Sequence, residues 1–182
     1  MKHLIFLFFI SFYVSNAQVT YIIDNGHSNV NFAIPWREIS FRTGEFKSFN
    51  GEITTKSETD LTDASVRLSV EVGSIDVIAD KLNKMLQEKD YLDSASCPII
   101  TYTCTGLKKI KDNVYEANGD LTLKCKTQKV KFMVEDNGRR DKYAAIKVTG
   151  VVPKSQFGIV GGGDRLGDGV QITAFFEMVK KK

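Results

Sequence analysis

Apolar and polar residues alternate along most of this chain. Ala64, Val66, Leu68, Val70 and Val72 are apolar, while Ser65, Arg67, Ser69 and Glu71 between them are polar. Val170, Ile172, Ala174, Phe176 and Met178 repeat the pattern against Gln171, Thr173 and Glu177. Shorter versions occur at Val30, Phe32 and Ile34, at Val130, Phe132 and Val134, and at Ala144, Ile146 and Val148. A period of two sends successive side chains to opposite faces, so these segments predict antiparallel strands with one apolar and one wet face. Turn-forming residues separate them: Asn25-Gly26, Asp112-Asn113, Asp136-Asn137-Gly138, the tract from Gly161 to Asp164, and Asp168-Gly169. Many short strands with regular turns predict a barrel or a sandwich.

One segment breaks the period. Ile78, Leu82, Met85 and Leu86 recur at intervals near four within a stretch rich in Lys, Asp, Asn and Gln. That spacing predicts an amphipathic helix of about two to three turns, ending near the loop from Lys89 to Asp93. Phe46 and Phe49 lie three apart in an otherwise strand-like run, which predicts a bulge near Lys47-Ser48. No internal repeat, low-complexity tract or linker interrupts the pattern, so residues 18–182 read as a single domain.

The first 17 residues stand apart. A basic start at Lys2 precedes an apolar run from Leu4 to Val14, and Ser15-Asn16-Ala17 offers small residues where a signal peptidase reads. The run is too short to span about 30 Å of hydrocarbon. It predicts a secretory signal peptide, cleaved between Ala17 and Gln18. The expectation is therefore a periplasmic or secreted protein with no stable membrane insertion.

Charge excludes one class of partner. The 25 Lys and Arg nearly balance 22 Asp and Glu, and Lys2 leaves with the signal. Nucleic-acid binding usually needs a basic stripe, and none is visible. The terminal Lys180-Lys181-Lys182 reads as a solvated tail.

Cysteine and histidine limit the chemistry. Three cysteines, Cys97, Cys104 and Cys125, cannot all pair within one molecule. With Asp112-Asn113 as the intervening turn, Cys104 falls opposite Leu121 and Cys125 opposite Ile100. Pairing Cys104 with Cys125 would need another register, so the expectation is buried free thiols acting as small apolar residues. No Cys-x-x-Cys and no nearby His supplies a zinc site. His27 is the only histidine after the signal, with Asp24 and Ser28 as neighbours. Ser28 shares a strand face with Val30 and Phe32, whereas a nucleophile must be openly presented, and no Gly-x-Ser-x-Gly elbow exists. The expectation is a protein that is not an enzyme, with His27 and Asp24 hydrogen-bonding at a barrel end. A hydrolase using His27 is the weaker alternative. The triple glycine lacks the Gly-Lys-Ser/Thr ending of a phosphate loop.

Five short runs carry a resemblance. They are Asp24 to Phe32 (DNGHSNVNF), Gly44 to Gly51 (GEFKSFNG), Gly73 to Asp76 (GSID), Gly119 to Lys124 (GDLTLK) and Ser155 to Ile159 (SQFGI). In this order and at this spacing the chain resembles the YceI-like polyisoprenoid-binding family from about Tyr21 to Phe176. The resemblance implies a mainly β fold: an antiparallel, lipocalin-like β-barrel of about eight strands with a short amphipathic capping helix. It also implies a long-chain isoprenoid or similar amphiphilic lipid, of polyprenyl or quinone type, enclosed in the barrel with no other cofactor. Members of the family often dimerise, which leaves a homodimer open.

About eight strands enclose an interior that side chains can fill or that holds one small ligand. Candidate ligand-binding residues on strand faces are Phe32, Phe46, Phe49, Ile100, Tyr102, Leu121, Leu123 and Phe157. Leu82, Leu86 and Leu92 add the helix stripe and the loop after it. A filled barrel acting as a stress or interaction module is the alternative. Departures from the family pattern concern polar groups. Trp36 stands where a second histidine is common, and Leu82-Asn83-Lys84-Met85-Leu86 replaces Arg-Asp-x-His-Leu. Cys125-Lys126-Thr127-Gln128 replaces Gly-Val-Thr-Lys, and Pro153-Lys154-Ser155-Gln156-Phe157-Gly158 replaces Asn-Arg-x-Asp-Phe-Gly. The apolar tunnel is expected, and the headgroup is left open.

Overall fold

Twelve strands form among residues 18–182, the part of the chain that this computed structural model describes. The expected signal peptide lies outside the described residues. The strands are β1 (Val19–Ile23), β2 (Asn29–Trp36), β3 (Ser40–Phe46), β4 (Phe49–Thr55), β5 (Ser65–Glu71) and β6 (Ile75–Asp76). After one helix, α1 (Asp80–Leu86), come β7 (Ile99–Thr105), β8 (Lys108–Lys111), β9 (Val114–Leu123), β10 (Lys126–Arg140), β11 (Tyr143–Pro153) and β12 (Gly169–Lys180).

Four of these pairs are long strands with a break. A helical turn at Asn25–His27 separates β1 from β2, and Lys47-Ser48 separates β3 from β4, where the phenylalanine spacing predicts a bulge. Val72–Ser74 separates β5 from β6, and β8 continues β7 along the same neighbour, β9. Joined in this way, the strands make an eight-stranded antiparallel barrel in chain order. It closes where β12 pairs with β2 through Gln171 to Phe175 and with β1 through Met178 to Lys180. Closure leaves few unpaired edges, which is why so many short strands are stable together.

The two ends differ. At one, Tyr21, Leu61, Leu107, Tyr115 and Met178 are almost fully buried and close the barrel. The Thr55 hydroxyl donates to the Ser57 and Asp60 carbonyls and so folds the β4–β5 loop over Leu61. A buried ion pair of 2.6 Å joins Asp136 to Arg139 at the same end. Asp136-Asn137-Gly138, which the sequence marks as a turn, is instead a bulge inside β10. The Asp136 carboxylate accepts from the Gly138 amide, Gly138 takes φ +96°, and the chain reverses only after Arg140.

The opposite end is framed by the β2–β3 hairpin, the segment from Val77 to Pro98 that contains α1, and the loop from Lys154 to Asp168. The helix has seven residues and begins at Asp80, so Ile78 lies outside its stripe.

The cysteine expectation needs correction. Cys97 and Cys125 form a disulfide, and only Cys104 is a free, buried thiol. Two one-residue irregularities, one at Ile110 and one between Thr103 and Lys108, shift the pairing of β7 and β8 against β9. Tyr102 rather than Cys104 therefore faces Leu121. Cys97 precedes β7, and Cys125 lies in the β9–β10 turn, where both Lys124 and Cys125 have positive φ. This turn carries none of the usual Asn-Gly chemistry, so pattern alone could not place it. Burial pushes the Cys104 thiol up, consistent with an inert core residue.

Candidate functional site: the barrel cavity

The barrel interior is not filled. An apolar cavity of about 900 Å³ runs from Ile53, Leu61 and Leu107 near the closed end to Trp36, Phe41, Leu82, Tyr91 and Leu166 at the open end. Its middle is walled by inward residues of the alternating strands, among them Val66, Leu68, Phe132, Ile146, Val148 and Ile172. Two glycines let the wall close. A Cβ on Gly119 would lie 2.4 Å from the Thr103 carbonyl and 2.7 Å from the Tyr102 hydroxyl. A Cβ on Gly44 would lie 2.5 Å from the Phe32 ring and 2.6 Å from Val77.

Tyr102 places a phenol in the middle of this wall. Its hydroxyl donates to the Ala117 carbonyl at 3.0 Å, and its ring meets Phe132 edge-on at 5.1 Å. Burial raises its pKa, so it stays a neutral phenol. Four cations border the cavity: Arg67 is paired with Glu52 at 3.2 Å, while Arg42, Lys154 and Arg165 are in no ion pair among the described residues. The Arg42 guanidinium stacks 5.0 Å from the Trp36 ring centroid.

The profile of the YceI-like domain matches residues 21–178. This chain belongs to the YceI-like family. Protein YceI of Escherichia coli is 30% identical over 138 residues, covering 73% of this chain and 71% of that protein. Among solved YceI-like folds, BcnA of Burkholderia cenocepacia superposes with a TM-score of 0.78 at 21% identity, covering 85% of this chain and 98% of its own. A polyisoprenoid binding domain from Saccharophagus degradans gives 0.72 at 14% identity, covering 88% and 98%. These two likenesses establish the barrel.

Most of the sequence-nominated residues converge on this YceI-like cavity. Phe32, Phe46, Leu82, Leu86, Leu92, Ile100, Tyr102, Leu121 and Leu123 all line it. Phe49 and Phe157 are outside the lining, which corrects their placement. Phe49 lies just past the β3–β4 break and sets its ring edge-on to Phe176 at 5.9 Å. Phe157 sits in a helical turn, Lys154–Phe157, that takes it off the strand alternation and buries it completely. Sequence reasoning did not nominate the wall residues Val66, Leu68, Val148 and Ile172, although their alternation marked an inward face. Nor did it nominate Met85, although Met85 stands in the helix stripe, or Phe41 and Arg42 on β3; Tyr91 and Arg165 at the mouth lie in connections where no strand or helix period operates.

The first family run has a structural task. Asp24, His27 and Glu177 stand within 4.8 Å of one another at the β1–β2 break, partway along the barrel wall rather than at its end. His27 Nδ1 lies 3.0 Å from Asp24 Oδ2. That hydrogen bond, and then the Asp24 and Glu177 charges, raise the His27 pKa; the same bond and the Gly26 amide lower that of Asp24. The Ser28 hydroxyl donates to the Glu177 carbonyl at 3.2 Å and accepts from its amide at 3.0 Å. It thereby replaces the ladder bonds that the break removes. None of these side chains lines the cavity.

A polar brace steadies the mouth. The Asp76 carboxylate accepts from the Ile78 amide at 2.8 Å and from the Asn83 amide group at 3.3 Å, and it pairs with Lys47. Asn83 in turn accepts from the Val77 amide at 2.8 Å. Lys47, then the Ile78 amide and Asn83, hold the Asp76 carboxyl down from 3.8 to about 2. A depressed pKa adds stability that is complete above the ordinary value and is lost as pH falls through the folded one. The Ile78 amide resonance should therefore titrate with a midpoint near 2, the brace loosening between pH 3.8 and about 2. In Asp76→Asn that titration should vanish. A wild-type midpoint at the ordinary carboxylate value would show that the brace does not form.

Proposed function

We propose that this chain sequesters or carries one long apolar lipid of isoprenoid type, polyprenyl or quinone-like, in its barrel, and catalyses no reaction on it. The observation that carries this reading is the apolar cavity of about 900 Å³ with one open end. Ligand pockets commonly span roughly 300–1,000 Å³, so this one suits an elongated hydrophobic guest. Burying such a tail contributes about 0.8 kcal/mol per CH₂-sized group before ordering costs. The polyisoprenoid binding domain from Saccharophagus degradans shares this fold and supports the same ligand class here.

Export belongs to the same proposal. The signal-like residues 1–17 and the Cys97–Cys125 disulfide both suit an oxidising compartment outside the cytoplasm. A non-enzymatic role is supported by His27 lying outside the cavity and by the Ser28 hydroxyl being engaged with β12 backbone. The expected result for His27→Ala is the same bound lipid, in the same amount per chain, by mass spectrometry of extracts. A chemically different lipid in that variant would favour the hydrolase instead.

A further inference from the structure

Charge at the open end is sorted rather than in excess. The segments that frame it carry as many acidic as basic side chains. Only cations among these border the cavity: Arg42, Lys154 and Arg165 line it, and none of the acidic residues of those segments does. Glu52 on β4 is the lone carboxylate of the described lining, and Arg67 pairs with it at 3.2 Å. Three positive groups therefore border an apolar volume with no lining acid left to balance them.

The fold brings the three to one side of the barrel. Lys154 follows β11, Arg165 lies in the loop that enters β12, and Arg42 is on β3, where it pairs with Ile34 of β2. Strands β11, β12, β2 and β3 are consecutive neighbours in the barrel. The Lys154 amide donates to the Asp168 carbonyl at 2.9 Å, which fixes the end of β11 to the loop. The Arg37 amide donates to the Arg165 carbonyl at 2.8 Å and the Gly167 amide to the Pro35 carbonyl at 2.9 Å, which fixes the loop to the β2–β3 hairpin. Asp168 is engaged elsewhere, since its carboxylate accepts from the Ser155 amide at 2.8 Å and the Ser155 hydroxyl at 2.9 Å. Stacking on Trp36 occupies a face of the Arg42 guanidinium and leaves in-plane N–H groups to donate. The α1 segment offers the same volume apolar side chains instead, Leu82, Met85, Leu86 and Leu92. A cation beside an apolar volume bonds an oxyanion more strongly than a neutral carbonyl or hydroxyl, and guanidinium matches phosphate and carboxylate in shape.

We propose that the lipid this barrel takes is an acid, with a phosphate or carboxylate headgroup held at the open end by Arg42, Lys154 and Arg165 while its tail fills the cavity. The inference rests on the carrier reading and narrows it, against a neutral quinone or polyprenol. The test offers wild-type protein an equimolar mixture of geranylgeranyl phosphate and geranylgeraniol and counts each bound lipid by mass spectrometry. The phosphate should be retained over the alcohol by roughly tenfold or more. Palmitate against hexadecanol reads a carboxylate in the same way, and the pair with the larger preference names the headgroup. In the double variant Arg42→Gln, Arg165→Gln the ratio should fall towards one with uptake of the alcohol unchanged. Lys154→Gln should lower the ratio on its own, and it decides the matter if the double variant takes up neither probe. Excess inorganic phosphate should not displace geranylgeranyl phosphate; displacement would assign the cations to a free anion and overturn the proposal. Equal retention of acid and alcohol in both pairs by wild type would also overturn it and leave the carrier reading standing. A wild type that takes up none of the four lipids would overturn the carrier reading itself.

Discussion

Phe32→Glu should empty the barrel without unfolding it. Phe32 lies on β2 in the cavity wall, half-buried, with its ring 5.7 Å from that of Phe46. A carboxylate there borders the cavity as well as Gly44 and Phe46, so it can keep water and the fold survives. A lipid tail would have to displace that water and leave the charge unpaired. The penalty is about 3 kcal/mol or more, equivalent to roughly 100-fold weaker retention. Extracted lipid per chain should fall accordingly, while the far-ultraviolet circular dichroism keeps its β-type shape. Leu86→Glu should have a smaller effect, because Leu86 sits on α1 at the mouth, where a longer acidic side chain reaches solvent. Full retention in Phe32→Glu would remove Phe32 from the lipid site.

Removing the disulfide should cost the most stability. Cys97 and Cys125 are 28 residues apart, and closing a loop of that length stabilises the folded chain by about 3–4 kcal/mol in the chain-entropy picture. For a domain of this size that corresponds to roughly 10 °C in melting temperature. The bond ties the end of the mouth segment to the β9–β10 turn, so its loss should also speed lipid release. The double variant Cys97→Ser, Cys125→Ser and reduced wild type should behave alike, since Cys104 is buried and takes no part. A melting temperature unmoved by reductant would mean that the pair is not formed in solution.

The wall of the barrel was legible because period-two alternation survives any rearrangement of neighbours. Val66 and Leu68, or Ile172 and Ala174, face inward whichever strand they pair with. What alternation does not encode is whether an inward face meets another side chain or a void. That depends on closure, on the strand breaks at Asn25–His27 and Lys47-Ser48, and on glycines such as Gly119 that admit a ring. Phe49 and Phe157 show the limit: each has the composition of a pocket residue, and each is packed away by a local departure from strand geometry. The disulfide escaped for the same reason. Its partners come from a loop and a turn, and the register between them is shifted by irregularities that leave no compositional trace. The mouth was least legible, since Trp36 and Arg42 reach it from the end of the β2–β3 hairpin while Tyr91 and Arg165 reach it from two separate connections.

The central claim is that the cavity holds a long apolar lipid. It is tested most directly by mass spectrometry of lipid extracted from the protein purified after export and without detergent. The account predicts about one polyprenyl, quinone or other long-chain isoprenoid molecule per barrel, as a single elongated cavity of this size would accommodate. Protein that emerges empty, and that also refuses added polyprenol, would contradict it.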